Sequence, residues 1–569
     1  MASSFVPESL VVQNADDLKA LYQALLDRKV NSVSDFNQLL SDVSDLDSFI
    51  SEDMAWRYIR MTCDTLNKDH EESYLQFVQN IQPELAPFED LLNQKLVEQP
   101  YWNTNDFDNA LAIYYRSLKS AVDLFREANI PLQAELSTLA QEYSATQGAM
   151  SIDWEGKEIT LQQASNLLLE TDPVTRKKAW LLIQERRQLE ADKLDALFTK
   201  MIGLRHQIAL NAGFENYRDY MFVALGRFDY TAQDCKDFHT SIEKNAIPLL
   251  KEVHLLRKSQ MKTDVLNPWD LQVDPLQRKP LKPFETGDEM RDKGIAVLND
   301  LDPFFAECLQ TMKEKSLLDL SSRVGKAPGG YNYPLAHTNM PFIFMNATSN
   351  LRDVETLLHE AGHAIHSFQM APLHLNAFKN TPSEVAELAS MSMELISMSA
   401  WNRYFAEDES LNRAKTEQIE GVIGTLPWIA TIDAFQHWIY ENPNHTSDER
   451  KAEWKQLLKH FGTGMVDHDG YEHFLDYAWQ RQLHLFEVPF YYIEYGIAQL
   501  GAVGIWRNYM ERNAEKALED YKAFMKLGYT CSMGKIYETA GVKFDFSAAY
   551  VKELMDFVGG EWKKGILLT

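Results

Sequence analysis

The sequence predicts a mainly α-helical chain organised around one helix, and three observations carry that expectation. Apolar residues recur at three- and four-residue spacing from about Ala15 to Leu189, as in Leu18, Leu21 and Leu25 or Phe77 and Ile81. The stretch Leu351 to Met370, LRDVETLLHEAGHAIHSFQM, is amphipathic: on a helical wheel Ala364, Leu357, Phe368, Ala361, Val354, Ile365 and Leu358 fill one continuous arc of about 120°. Period-2 alternation enters in residues 325–348, immediately before that helix, and marks a small hairpin beside it.

Taken in order, residues 1–190 read as an N-terminal helical lobe and residues 191–569 as the domain that carries the central helix. Within the first, WEGKEIT breaks the helical pattern and reads as a hairpin turning on Glu155-Gly156. Residues 190–260 continue as helices. The Pro-rich stretch NPWDLQVDPLQRKPLKPF, residues 267–284, cannot be helical and is expected to be an irregular connection. In residues 325–348, Tyr331, Tyr333 and Leu335 alternate, a turn falls at Thr338-Asn339, and the run Pro341 to Met345 returns as a second strand. Pro334 marks the first strand as an edge, where a missing N–H is tolerated. A free edge is one way to hold an extended peptide, by adding a strand.

The central helix carries chemistry. His359-Glu360-Ala361-Gly362-His363 is an HExxH motif. His363 lies one turn beyond His359 and about 40° around the axis, so both imidazoles project from the face opposite the apolar arc and can share one metal ion. Glu360, about 60° beyond His363, can work on a metal-bound water without being a ligand. Zinc is the expected ion, one per chain. Gly362 leaves room for a backbone strand to approach. His366 falls on the same face but about 10 Å along the axis from His359, so it is expected to contact substrate or support the ligands from outside.

Two histidines leave a zinc ion short of one protein ligand. The next helix, PSEVAELASMSMELISMSAW with Ser383 as its expected N-cap, offers three carboxylates. Glu387 lies 24 residues after His363, with Glu384 one turn earlier and Glu394 two turns later. Glu384 better suits the helix dipole. Farther on, residues 471–509 are dense in aromatics, and Pro489 suits the first turn of a helix on which Tyr491, Tyr495, Ala498 and Ala502 form a stripe with Tyr492 alongside. Gly496, Gly501 and Gly504 give it small surfaces for close packing. Such a stripe is core by default.

Composition narrows the partners. A formal net charge of −27, from 83 acidic against 56 basic residues, argues against a nucleic-acid partner, which needs a basic face. No apolar run approaches the roughly 18 residues of a membrane span, and no export signal is visible, so a cytoplasmic enzyme is expected. Cys63, Cys235, Cys308 and Cys531 show no CxxC spacing and read as reduced thiols filling small apolar positions.

HEAGHAIHS, AELASMSME and FEVPFYYIEYGIA together resemble the oligoendopeptidase F branch of the thimet-oligopeptidase family of zinc metallopeptidases. ENYRDYMFVALGRFDYT, GKAPGGYNY and YKAFMKLGYTCSMGKIYETAGVKFD extend the likeness over most of the chain. The resemblance implies zinc held by His359, His363 and Glu387, with Glu360 as general base. It implies a multi-helix zincin fold whose two lobes enclose a deep substrate channel, with the hairpin around Gly329, Gly330 and Tyr331 gripping the substrate. Its transition-state donors are tyrosines and a histidine, here Tyr491, Tyr492, Tyr495 and His484, of which Tyr495 fits best. The activity implied is endoproteolysis of short peptides. The alternatives are a carboxydipeptidase of the same family or a non-catalytic peptide-binding relative.

Overall fold

Helices make up nearly all of the regular structure, 22 α-helices against five short strands among the described residues. The computed structural model describes residues 5–102, 108–323, 325–327 and 329–568. None of its helices is long and apolar enough to cross a membrane.

The first hairpin forms where the sequence places it. Ser151–Trp154 pairs with Lys157–Thr160, and Glu155 (φ 55°) and Gly156 (φ 83°) form the two-residue turn whose positive φ values match the twist of the strands. Residues 267–284 are irregular apart from a single 3₁₀ turn at Pro268–Asp270, which a buried Arg176–Asp270 ion pair of 2.7 Å pins in place.

The second sheet has three strands. Tyr331–Leu335 pairs antiparallel with Met340–Ala347, and Leu318–Ser321 pairs parallel with the other side of that same strand. Tyr331–Leu335 is thus an edge, as Pro334 requires. The central strand reads PFIFM without alternation because both its faces are covered: Phe342, Ile343, Phe344 and Met345 are all buried. Leu318–Ser321 was not expected; four residues are too few to show a period, and the strand is defined by its partner.

Packing divides the chain into unequal cores. Val6 to Leu118 supply one, around Phe36, Leu39, Leu46 and Leu96. Leu124 to Tyr220 share another with Ile432 to Phe490, stacking Phe198, Trp454, Trp479 and Phe486. The largest core holds the central helix Leu351–Met370 together with Ser383–Ser397, Asp408–Glu441, Tyr492–Glu511 and Ala548–Leu568. In the central helix Val354, Leu357, Leu358 and Ile365 are at most 1% exposed. Each contributes about 1.5–3 kcal/mol on burial, several times what helix propensity supplies per residue.

One long helix links the first core to the sheet. Val33–Cys63 sets Tyr58 against Tyr331 and Tyr333 at ring separations of 5.4 and 5.7 Å, and Glu52 accepts the Thr338 backbone N–H at 2.7 Å.

Candidate active site

Gly362 decides how the site assembles. A Cβ there would lie 2.6 Å from Ser390 Cα and 2.9 Å from Ala389 O, so the residue lets the backbone of the helix Ser383–Ser397 press directly on the central helix. The approaching backbone is helical, and it carries Glu387 with it. Tyr521 donates to Ala389 O at 2.7 Å and Tyr537 to Glu384 O at 3.0 Å, bracing that helix.

The result is a convergent donor set. Glu387 Oε2 lies 3.2 Å from His359 Nε2 and 3.5 Å from His363 Nε2, and the imidazoles meet edge to face with centroids 4.9 Å apart. Two donors, each about 2.0–2.1 Å from a tetrahedral ion, stand about 3.3–3.4 Å apart, so both separations match zinc coordination. His359 Nδ1 is 2.7 Å from Glu394 Oε1, a bond it can make only as an N–H donor to that carboxylate. Burial opposes a charge on His359, yet Glu387 and Glu394 outweigh it and hold the imidazole well above its ordinary value, so Nε2 also carries a proton toward Glu387, in the place a metal ion would take.

Neighbours hold the carboxylate in turn. Tyr491 donates to Glu387 Oε1 and Ser390 Oγ to Glu387 Oε2, both at 2.8 Å. Burial opposes ionisation of Glu387, yet His363 and His359 outweigh it and hold the carboxyl well below its ordinary value. Glu360 behaves oppositely: burial pushes its carboxyl up, with the histidine charges opposing and Glu387 and Glu394 adding. Its Oε2 is buried without a hydrogen-bond partner. That is the environment of a group suited to accept a proton.

On the Tyr491 side of Glu387, a hydrogen-bond chain runs in a fixed direction. Trp428 Nε1 can only donate, and it does so to Gln482 Oε1 at 3.2 Å. Gln482 Nε2 then faces His484 Nδ1 at 2.8 Å and donates to it. His484 therefore carries its proton on Nε2, 3.2 Å from the Tyr495 hydroxyl. Burial depresses the His484 imidazole to about 4, with Glu387 opposing, so it stays neutral near pH 7. With His484 donating to its oxygen, Tyr495 keeps its own O–H free. Tyr491 does not, because its O–H is already donated to Glu387. Tyr492 packs edge-on to His484 at 5.2 Å.

Several expectations are corrected. Pro489 does not open the helix: Phe490 takes φ 69° and the helix runs Tyr492–Glu511, leaving Tyr491 just ahead of it. Ser383 is the first helical residue, not the cap, with extended Pro382 before it. Glu384 does stand in the first turn of its helix, where the dipole reading placed it, but it is 2% exposed, accepts from Tyr230 at 2.5 Å and lies 3.9 Å from Arg227. His366 is 2% exposed and packs on Phe524, so it is not presented to a substrate. Cys235 and Cys308 are buried as expected, but Cys63 and Cys531 are only half-buried.

Of the hairpin residues, Gly330 comes nearest the chemistry, since a Cβ there would sit 3.8 Å from Glu360 Oε1. Gly329 is exposed with φ 96°. The Tyr331 ring stacks flat on Phe344 at 4.7 Å and its hydroxyl lies 2.6 Å from Thr62 Oγ1, so only its backbone remains for a substrate. Sequence reasoning gave Glu394 no role beside His359 and missed Gln482; neither carries a motif, and each is placed by a partner distant in sequence.

Known proteins resemble this chain along its length. The family model for Peptidase family M3 matches residues 166–556, and that for the Peptidase M3 N-terminal domain matches residues 5–107. Oligopeptidase PepF of Bacillus subtilis (strain 168) is 23% identical over 382 residues, spanning 63% of this chain but only 55% of that protein. An oligoendopeptidase F homolog of Borreliella burgdorferi is 22% identical over 516 residues, 87% of this chain and 84% of that protein. Among solved structures, PZ peptidase A with inhibitor 2 superposes with a TM-score of 0.93 at 25% identity, covering 98% of this chain and 99% of that one. Oligoendopeptidase-F from Enterococcus faecium shares the fold at a TM-score of 0.64 and 16% identity, over 97% of this chain and 96% of that one. The fit of a zinc donor set to the HExxH helix and the match over more than half of the sequence lead to one conclusion: the chain belongs to peptidase family M3, a family of zinc metallopeptidases.

Proposed function

We propose that the protein is an endopeptidase that hydrolyses internal bonds of short oligopeptides, with one zinc held by His359, His363 and Glu387. The observation that carries this reading is the placement of Glu387 Oε2 against both histidines, 3.2 and 3.5 Å away, beside a buried Glu360. When bound, zinc supplies Lewis-acid polarisation of a carbonyl and brings the pKa of water toward about 7. Glu360 takes the proton of the attacking water and passes it to the leaving amine. Tyr495, its O–H left free by His484, donates to the oxyanion that develops on the carbonyl. Tyr491 and Glu394 orient Glu387 and His359 respectively. The substrate runs as an added strand along Tyr331–Leu335, beside Gly329 and Gly330, in a channel between a lobe of residues 1–190 and one of 191–569. Such a channel admits extended peptides and excludes folded domains. A cytoplasmic location suits this role in peptide turnover.

The test is a mixed peptide pool digested with and without chelator and read by mass spectrometry. Internal cleavage that chelator abolishes is expected, including cleavage of peptides blocked at both ends, which a carboxydipeptidase could not cut. Glu360→Gln should keep its zinc and lose most activity, since the amide cannot take a proton while the three ligands stay in place. Full activity in that variant would sink the mechanism.

A further inference from the structure

We propose that the chain carries a second metal site, remote from the first in sequence, in which Cys235, Asp433 and His437 bind one zinc or similar borderline divalent ion. The site is built from two pairs of residues, each pair spanning one helical turn. Cys235 and His239 lie on the helix Ala232–Met261, and Asp433 and His437 on the helix Asp408–Glu441. Residues four apart share a helix face, the same geometry that aligns His359 with His363. The two helices pack face to face, so the pairs confront one another.

The ligand atoms of Cys235, Asp433 and His437 all lie within 4.8 Å of one another. His239 Nε2 is 2.8 Å from Asp433 Oδ2, which orients the carboxylate, while Asp433 Oδ1 is buried and unpartnered. His437 is the telling residue. It is 3% exposed, and neither of its ring nitrogens makes a hydrogen bond; Nε2 lies 3.4 Å from Asp433 Oδ2 but is misaligned for one. A neutral imidazole has one N–H and one lone pair, and leaving such groups buried and unmet carries a desolvation cost. A cation at the free lone pair removes part of that cost and gives the Asp433 carboxylate a partner besides His239.

Charge and surroundings fit the same ion. A thiolate and a carboxylate balance a divalent charge, so the occupied site is neutral, as deep burial requires. One sulfur, one nitrogen and one oxygen form a donor set that suits zinc. Phe222 and Phe490 stand 6.1 and 5.5 Å from His437 and Phe461 stands 6.1 Å from His239, walling the cluster with rings. Cys235 and Asp433 are 1% and 0% exposed, so no substrate reaches the ion and its role is to clamp the two helices. It loads as the chain folds, and its binding energy is folding energy. The expectation of one zinc per chain then counts the catalytic site alone.

The full chain produced in cobalt-supplemented minimal medium tests this, because the first site has no sulfur ligand. A thiolate-to-cobalt charge-transfer band is expected, retained in Glu387→Ala and lost in Cys235→Ser. Zinc-grown protein should hold about two equivalents, with about one left after chelation that abolishes activity. If Cys235→Ser does not fold, the wild-type spectrum and metal count decide. A cobalt protein with no such band, or a band that survives in folded Cys235→Ser, overturns the proposal.

Discussion

Gly362→Ala tests how the catalytic ligands are brought together. The added Cβ would lie 2.6 Å from Ser390 Cα, 2.9 Å from Ala389 O and 3.1 Å from Met393 Cβ. Carbon atoms in contact rest at about 3.5–4.0 Å, so the two helices must part by roughly 1 Å. Two of the three atoms are backbone, and no rotamer change relieves them. Helix propensity runs the other way, favouring Ala over Gly by about 0.8–1.0 kcal/mol, but overpacking costs about 1–3 kcal/mol. The clash wins by up to about 2 kcal/mol. The larger effect falls on the metal site, because Glu387 sits one turn from Ser390 and moves with its helix, while its 3.2 and 3.5 Å separations leave little slack for a tetrahedral ion. A 1 Å misplacement can cost on the order of 10²-fold. A quenched fluorescent peptide and metal analysis at limiting zinc should therefore show kcat/KM down about 10²-fold and zinc content reduced, with the helical circular dichroism intact. Gly501→Ala is the control: its Cβ meets the side chains of Leu388 and Tyr537 at 2.5 and 2.8 Å, so it should destabilise without emptying the site. Normal zinc content and kcat/KM in Gly362→Ala would refute the reasoning.

Three further outcomes are expected. Glu394→Ala frees His359 Nδ1 and should lower zinc affinity about 10–100-fold, measured by competition with a chromogenic chelator; unchanged affinity would remove Glu394 from the site. Tyr495→Phe should lower kcat by about 10²–10³ with KM nearly constant. Gln482→Glu should imitate it, because a carboxylate at 482 forces the His484 proton onto Nδ1 and makes Nε2 consume the Tyr495 O–H; normal kcat in both variants would return the tyrosines to the core. The last concerns pH and His254, whose imidazole burial depresses to about 4, with Arg257 adding. A folded value below the unfolded one means that the unfolded chain takes the proton first, so this contribution is full above about pH 6.5 and is lost as pH falls toward 4. Relative to His254→Gln, the wild type should lose about 2 kcal/mol between pH 7 and 5 in denaturant titrations, and a constant difference would refute the assignment.

The sequence by itself determined the elements and half of the site. HExxH at one-turn spacing over an apolar arc is local information, so His359, Glu360 and His363 were legible together, as were the Glu155-Gly156 turn and the edge strand at Pro334. By spacing alone Glu387 was one of three carboxylates on a neighbouring helix, and only the family resemblance singled it out. Which of them faces the histidines depends on the register of two packed helices, and that register is decided by the absence of a Cβ at Gly362. The same limit explains the other revisions. Glu384 was legible as a helix-end charge, but its partners Tyr230 and Arg227, more than 150 residues away, cannot be seen from its own helix. Cys235 is the buried thiol its sequence predicts, but its neighbours Asp433 and His437 come from a helix some 200 residues later and cannot be read from its own. Hydrophobic period fixes which face of a helix turns inward, but only tertiary packing decides what that face, or the polar face behind it, meets.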